Sequence, residues 1–169
     1  ENNYNALSKD LHDIPIMATV KANAYGHGAV EISKTLERIG VRYLSVFTIE
    51  EGIELREAGI KTDILIYSKL NHTALNEAKK YNLTLNISSF LDLDHLRDFE
   101  GKSIRVHLKI DTGMTRLGVS HDKAEAFLKE AAQIDSINIE GIYSHFSTGD
   151  EGNIFYAKKQ LNRFNKVIE

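Results

Sequence analysis

The sequence predicts an α/β fold of parallel strands joined by crossover helices. Short apolar or β-branched runs alternate with amphipathic stretches along the whole chain. They recur about every 20 to 25 residues, the length of one βα unit. Parallel strands need such long connections, and these cross over right-handedly.

The runs are Pro15 to Val20, Tyr43 to Phe47, Asp63 to Tyr67, Leu83 to Ile87, Ile104 to Ile110 and Ile137 to Ser144. About six strands are therefore expected, with no linker and no second domain. Residues 1–13 read as a leading helical segment and 14–169 as the βα units. Val30, Ile32, Leu36 and Ile39 mark one helix face, and Gly40 is placed to end that helix. Thr48-Ile49-Glu50-Glu51 has the spacing of a capping box for a helix carrying Ile53, Leu55 and Ala58, which Gly59 ends. Ser120 is expected to cap a helix carrying Ala124, Phe127, Leu128 and Ala131. Asp150 and Glu151 are expected to cap a last helix from about Ile154 to Ile168.

Arg105-Val106-His107-Leu108-Lys109-Ile110 alternates in character rather than staying apolar, so one face meets helices and the other a barrel interior or a site. That favours a barrel over an open doubly wound sheet. A closed eight-stranded barrel takes about 250 residues, and the chain has 169. Either the sheet is open, or the chain is part of a larger barrel.

Hydrophobic residues make up 42% and charged residues 27%, an ordinary globular balance. The net charge of −3 gives no electrostatic reason to expect a nucleic acid or an anionic membrane as partner. No apolar stretch approaches the ~20 residues of a spanning helix. Residues 1–13 are polar and mixed in charge, unlike a signal peptide. The absence of cysteine excludes disulfides, thiolate metal sites and cysteine nucleophiles, and is compatible with the cytoplasm. No zinc spacing, phosphate-binding Walker loop, dinucleotide fingerprint or nucleophile elbow is present, so no metal site is expected.

Three clusters carry candidate chemistry. In Val20-Lys21-Ala22-Asn23-Ala24-Tyr25-Gly26-His27-Gly28, a lysine closes an apolar run and a glycine-punctuated turn follows. Most lysines are solvated surface charges. This one sits at a strand mouth, where parallel α/β folds put their chemistry. An amine in an enclosed, partly apolar mouth loses its proton and attacks aldehydes. Glycines opening the next helix would let backbone amides approach a phosphate, although a glycine pair also serves a plain βα turn.

The second cluster runs from His107 to Gly118. His107, Lys109 and Asp111 share one strand face, which is either a solvated edge or a functional surface. Arg116 follows in a glycine-flanked loop, where a guanidinium can clamp a carboxylate. In the third, Gly141-Ile142-Tyr143-Ser144-His145-Phe146-Ser147, His145 ends an apolar strand, a position that also suits a packed, hydrogen-bonded histidine.

These clusters, in this order, resemble the alanine racemases, pyridoxal-phosphate enzymes built on a barrel. VKANAYGHG is similar to that family's cofactor-lysine motif, and KIDTGMTRLG and GIYSHFS to its later barrel-strand motifs. The resemblance runs from about Ile14 to the C-terminus and implies an incomplete (β/α)8 TIM-type barrel of about six parallel βα units. It implies that Lys21 holds pyridoxal 5′-phosphate as an aldimine and is one of two bases interconverting L- and D-alanine at Cα. Tyr25 would contact the cofactor phosphate. Arg116 would lie near the cofactor's phenolic oxygen and the substrate carboxylate. His145 would sit by the ring, and Lys109 would be carbamylated, an anion orienting the arginine.

The resemblance further implies a cytoplasmic homodimer acting on a free amino acid and supplying D-alanine for cell-wall biosynthesis. The second base, a tyrosine of the partner subunit, belongs to a C-terminal β domain that these residues do not include. Nor do they include the family's opening strand or its last two barrel strands. The expectation is a front portion of a racemase barrel, inactive alone and with weak cofactor affinity. A serine or serine/alanine racemase domain, and a non-catalytic pyridoxal-phosphate barrel protein, are the alternatives.

Overall fold

The computed structural model describes residues 1–12, 14–99 and 103–169. The chain forms two compact units, Glu1–Leu85 and Asn86–Glu169.

The first unit opens with α1 (Asn2–Asp10), which buries none of its residues. Its start is tied down by an Arg38–Glu1 ion pair of 2.7 Å. Next come β1 (Met17–Thr19), a short turn α2 (Lys21–Tyr25), α3 (Ala29–Arg38), β2 (Tyr43–Val46), α4 (Ile49–Glu57), β3 (Asp63–Ile66) and α5 (His72–Lys80). β4 (Thr84–Ile87) spans the boundary between the units. The strands are parallel and in sequence order: Ala18 pairs with Leu44, Leu44 with Ile64, and Leu65 with Thr84. β2 to β4 are buried along nearly their whole length, as parallel strands covered on both faces must be. Leu44, Val46, Leu55, Ile64, Ile66, Leu75 and Leu83 form this core.

The helix ends follow the sequence closely. Gly40 and Gly59 both take positive φ. Beside them Val41 N–H bonds to Leu36 C=O, and Ile60 N–H to Leu55 C=O. That is the Schellman pattern expected of a C′ glycine. Thr48 and Glu51 make the expected capping box on α4.

The second unit contains α6 (Phe90–Arg97), β5 (Ile104–Asp111), β6 (Val119–Ser120), a 3₁₀ turn (His121–Lys123), α7 (Ala124–Ala131), β7 (Ile137–Tyr143) and α8 (Phe155–Ile168). β5 is parallel to both β6 and β7. A register shift between Val106 and His107 then sets His107 opposite Gly141 and Lys109 opposite Tyr143. Leu93, Leu96, Val106, Leu108, Ile110 and Phe127 are fully buried, and the Phe90 and Phe127 rings meet edge to face at 5.4 Å.

Three expectations are corrected. β6 is a strand beyond the six read from the sequence; two residues carry no periodicity. Ser120 does not cap α7, which begins after the 3₁₀ turn; its hydroxyl instead bonds Asp122 and lowers that carboxyl's pKa. Asp150 and Glu151 lie too far upstream to cap α8; Asn153 Oδ1 accepts from Phe155 N–H at 3.0 Å instead. The α/β class with parallel strands and alternating helices is as predicted. No helix among the described residues is long and apolar enough to cross a membrane.

Candidate active site

In the first unit Lys21 stands just beyond the carboxyl end of β1. Val20, before it, is buried and donates its N–H to Ser45 C=O at 2.9 Å. Lys21 is half-buried, and its amine has no hydrogen bond or ion pair among the described residues.

The backbone that follows is unusual. Ala22, Asn23, Ala24 and Tyr25 all have φ between 50° and 54°. An L-residue in this left-handed region costs roughly 1–2 kcal/mol, less for asparagine. Consecutive examples persist only where their surroundings fix them. Two side chains do so here. Asn23 Oδ1 accepts from Ala29 N–H at 2.8 Å, while its carbonyl takes the N–H groups of Gly26 and Gly28. Glu51 Oε1 accepts from Ala22 N–H at 2.6 Å, and its Oε2 from Phe47 N–H at 2.7 Å and Thr48 N–H at 3.0 Å. Gly26 and Gly28 have positive φ and nothing within 4 Å of where a Cβ would stand, so the turn faces open space. Tyr25 is exposed, and its hydroxyl has no partner among the described residues.

In the second unit β5 is a covered strand, not a solvated edge. Lys109 is buried, with its Nζ 4.9 Å from the centre of the Tyr143 ring. Tyr143 in turn donates its hydroxyl to the buried Asn86 Oδ1 at 2.8 Å. His107 fits beside Gly141 because glycine leaves room: a Cβ there would stand 3.0 Å from the imidazole. Burial holds the His107 pKa below its ordinary value, and Arg105 adds in the same direction.

Asp111 turns the chain out of β5 by accepting from Gly113 N–H at 2.8 Å and Thr115 N–H at 3.1 Å. The loop so formed presents Arg116, exposed and without a partner among the described residues. Helix α8 anchors the same loop: Tyr156 donates to Gly113 C=O at 2.9 Å and Arg163 to Thr112 C=O at 2.7 Å. His145, also exposed, lines a cavity of about 250 Å³ with Thr112, Phe146 and Gln160.

Lys109 and His107 thus stand on one strand of the second unit, with Arg116 on the loop beyond them, while Lys21 and Tyr25 belong to the first unit. Sequence reading missed Glu51's reach to Ala22, Asn23's clasp, and the Tyr143–Asn86 bond. Only the first left a local trace, its place in the capping box.

Parallel strands joined by helices, with Lys21 beyond the carboxyl end of one strand, define a domain of the parallel α/β class. The alanine racemase N-terminal domain model matches residues 1–169, and the chain belongs to that family. It is 37% identical to alanine racemase 2 of Caldanaerobacter subterraneus subsp. tengcongensis, over 99% of this chain and 45% of that protein. It is 38% identical to the alanine racemase of Halalkalibacterium halodurans, over 100% and 45%. The alanine racemase structure from Clostridium difficile 630 superposes with a TM-score of 0.91 at 35% identity, covering 98% of this chain and 45% of that one. That from Bacillus anthracis, solved with bound L-Ala-P, gives 0.90 at 30% identity, covering 99% and 44%. These matches establish the fold as a partial (β/α)8 barrel. The chain spans somewhat under half the length of the relatives it matches.

Proposed function

We propose that this chain is the cofactor-holding barrel portion of an alanine racemase, and that Lys21 is the residue that carries pyridoxal 5′-phosphate. The observation that carries this reading is the Lys21 amine, unpaired among the described residues, at a strand mouth, heading a strained left-handed turn that two side chains hold in place.

The donor set fits the group. An amine without a salt bridge is available for a covalent bond to an aldehyde. Tyr25 and the glycines after it offer a hydroxyl and an uncrowded backbone to a phosphate. Arg116 offers a guanidinium that is unengaged among the described residues to a carboxylate or a phenolate. When bound, the cofactor supplies a pyridine ring that accepts the electron pair left at the substrate Cα.

The residues then divide the work. Lys21 Nζ takes or returns the proton on one face of Cα, the face of the D-enantiomer. The opposite face needs a second base, a tyrosine of the partner subunit in a homodimer. Arg116 orients the substrate carboxylate, and His145 supports the ring. Lys109, buried against Tyr143, is the candidate for carbamylation: the ammonium gives up one proton, the neutral Nζ forms an N–C bond to carbon dioxide, and a second proton leaves, so a cation becomes an anion beside the arginine loop. The whole chain acts as one partial barrel domain of a cytoplasmic enzyme.

The test uses the natural-length protein with L-alanine in heavy water. Deuterium should enter at Cα as the D-enantiomer accumulates, and Lys21→Ala should abolish both. Undiminished exchange in that variant would reject Lys21 as the base.

A further inference from the structure

We propose that Glu51 is a positioning residue for Lys21, an inference that rests on Lys21 being the cofactor lysine. Glu51 belongs to α4, not to the Lys21 segment, and as half of a capping box it needs to bond only the Thr48 backbone. Its carboxylate does more. One oxygen takes the two N–H groups at the end of β2, those of Phe47 and Thr48, and the other reaches Ala22 N–H at 2.6 Å. Ala22 is the first left-handed residue after Lys21. Glu51 thus joins the residue following Lys21 to the start of α4, 29 positions away in sequence.

The chemistry of the carboxylate makes this bond specific. An ionised carboxylate accepts at both oxygens, and its bonds to amides are short and strong. Glutamine can accept at one oxygen only, so it cannot serve both the β2 end and Ala22. Without the Ala22 bond, the left-handed turn loses its tie to α4. The turn can then relax toward ordinary φ, which carries the Lys21 amine away from a fixed direction. Thr48 provides the contrast: its hydroxyl accepts from Glu51 N–H at 3.3 Å, so it caps the same helix without touching the Lys21 turn.

The experiment compares Glu51→Gln and Thr48→Ala with wild type in the natural-length protein. Three quantities are read: amide exchange at Ala22 in the cofactor-free form, the rate of borohydride-trapped pyridoxal phosphate at Lys21, and Tm. Loss of one charge-assisted bond corresponds to about a tenfold change. Glu51→Gln should therefore speed Ala22 exchange and slow trapping at Lys21 by about tenfold each. Thr48→Ala should lower Tm while leaving both rates near wild type. Equal slowing of trapping in the two variants, at matched loss of Tm, would reduce Glu51 to a helix cap and overturn the proposal. So would faster Ala22 exchange with unchanged trapping. Absence of any label at Lys21 in wild type would instead reject the cofactor assignment, and this inference with it.

Discussion

Gln160, on the buried side of α8, donates its amide to the Thr112 hydroxyl at 3.3 Å, joining the helix to the carboxyl end of β5. The same amide nitrogen donates to His145 C=O at 3.0 Å, and the Gln160 carbonyl accepts from the N–H and hydroxyl of Ser147. One fully buried side chain thus holds the ends of both β5 and β7, where Thr112, Ser144 and His145 stand. Gln160→Leu keeps the volume and leaves the Ser147 amide and the His145 carbonyl without these partners. The expected loss is about 2–4 kcal/mol of stability, measured by denaturant unfolding. A loss under about 0.5 kcal/mol, the range of an ordinary surface change, would contradict the network.

Gly118 lets the Arg116 loop return against β5. A Cβ there would stand 2.9 Å from Asp111 N and 3.0 Å from Lys109 O, main-chain atoms that cannot step aside, at a φ of 116°. Gly118→Ala should cost about 2–4 kcal/mol, as a lower denaturant midpoint at unchanged slope. Gly26→Ala is the control: φ is 89° but the space is open, so strain alone should cost about 1 kcal/mol.

His107 makes stability depend on pH. Its folded-state pKa is depressed by burial and by Arg105. The unfolded chain therefore binds the proton more readily, and stability rises with pH through this window. His107's contribution is complete above its unfolded pKa of about 6.5 and declines as pH falls toward the lower folded value. Thermal unfolding from pH 5 to 8 should show wild type losing more stability on acidification than His107→Gln. Parallel curves would refute this.

Arg56 is a structural clamp in the first unit. Its guanidinium donates to the carbonyls of Tyr81, Ile60, Thr62 and Asn82 at 2.7–3.0 Å. Arg56→Met keeps the stem and removes every donor, so it should cost about 3 kcal/mol. Arg56→Lys should recover only part of that, because one ammonium cannot span the planar fork.

What the sequence made legible was whatever is encoded locally. The Thr48–Glu51 box, the glycine stops at Gly40 and Gly59, and the shared face of His107 and Lys109 each follow from spacing within a few residues. The left-handed turn at Ala22–Tyr25 was hidden because alanine and tyrosine carry no signal for positive φ, and its support comes from Glu51, 29 positions from Ala22. The Tyr143–Asn86 bond spans 57 positions and leaves no periodic trace. Asp150 and Glu151 misled because acidic residues ahead of a helix look like caps, whereas cap geometry selects the nearer Asn153.

Lys21 as the cofactor lysine is tested most directly by covalent trapping. The natural-length protein is incubated with pyridoxal phosphate, reduced with borohydride, digested and mapped by mass spectrometry. A single phosphopyridoxyl label is expected on the peptide containing Lys21, absent in Lys21→Ala. A label on other lysines with Lys21 unmodified would contradict it.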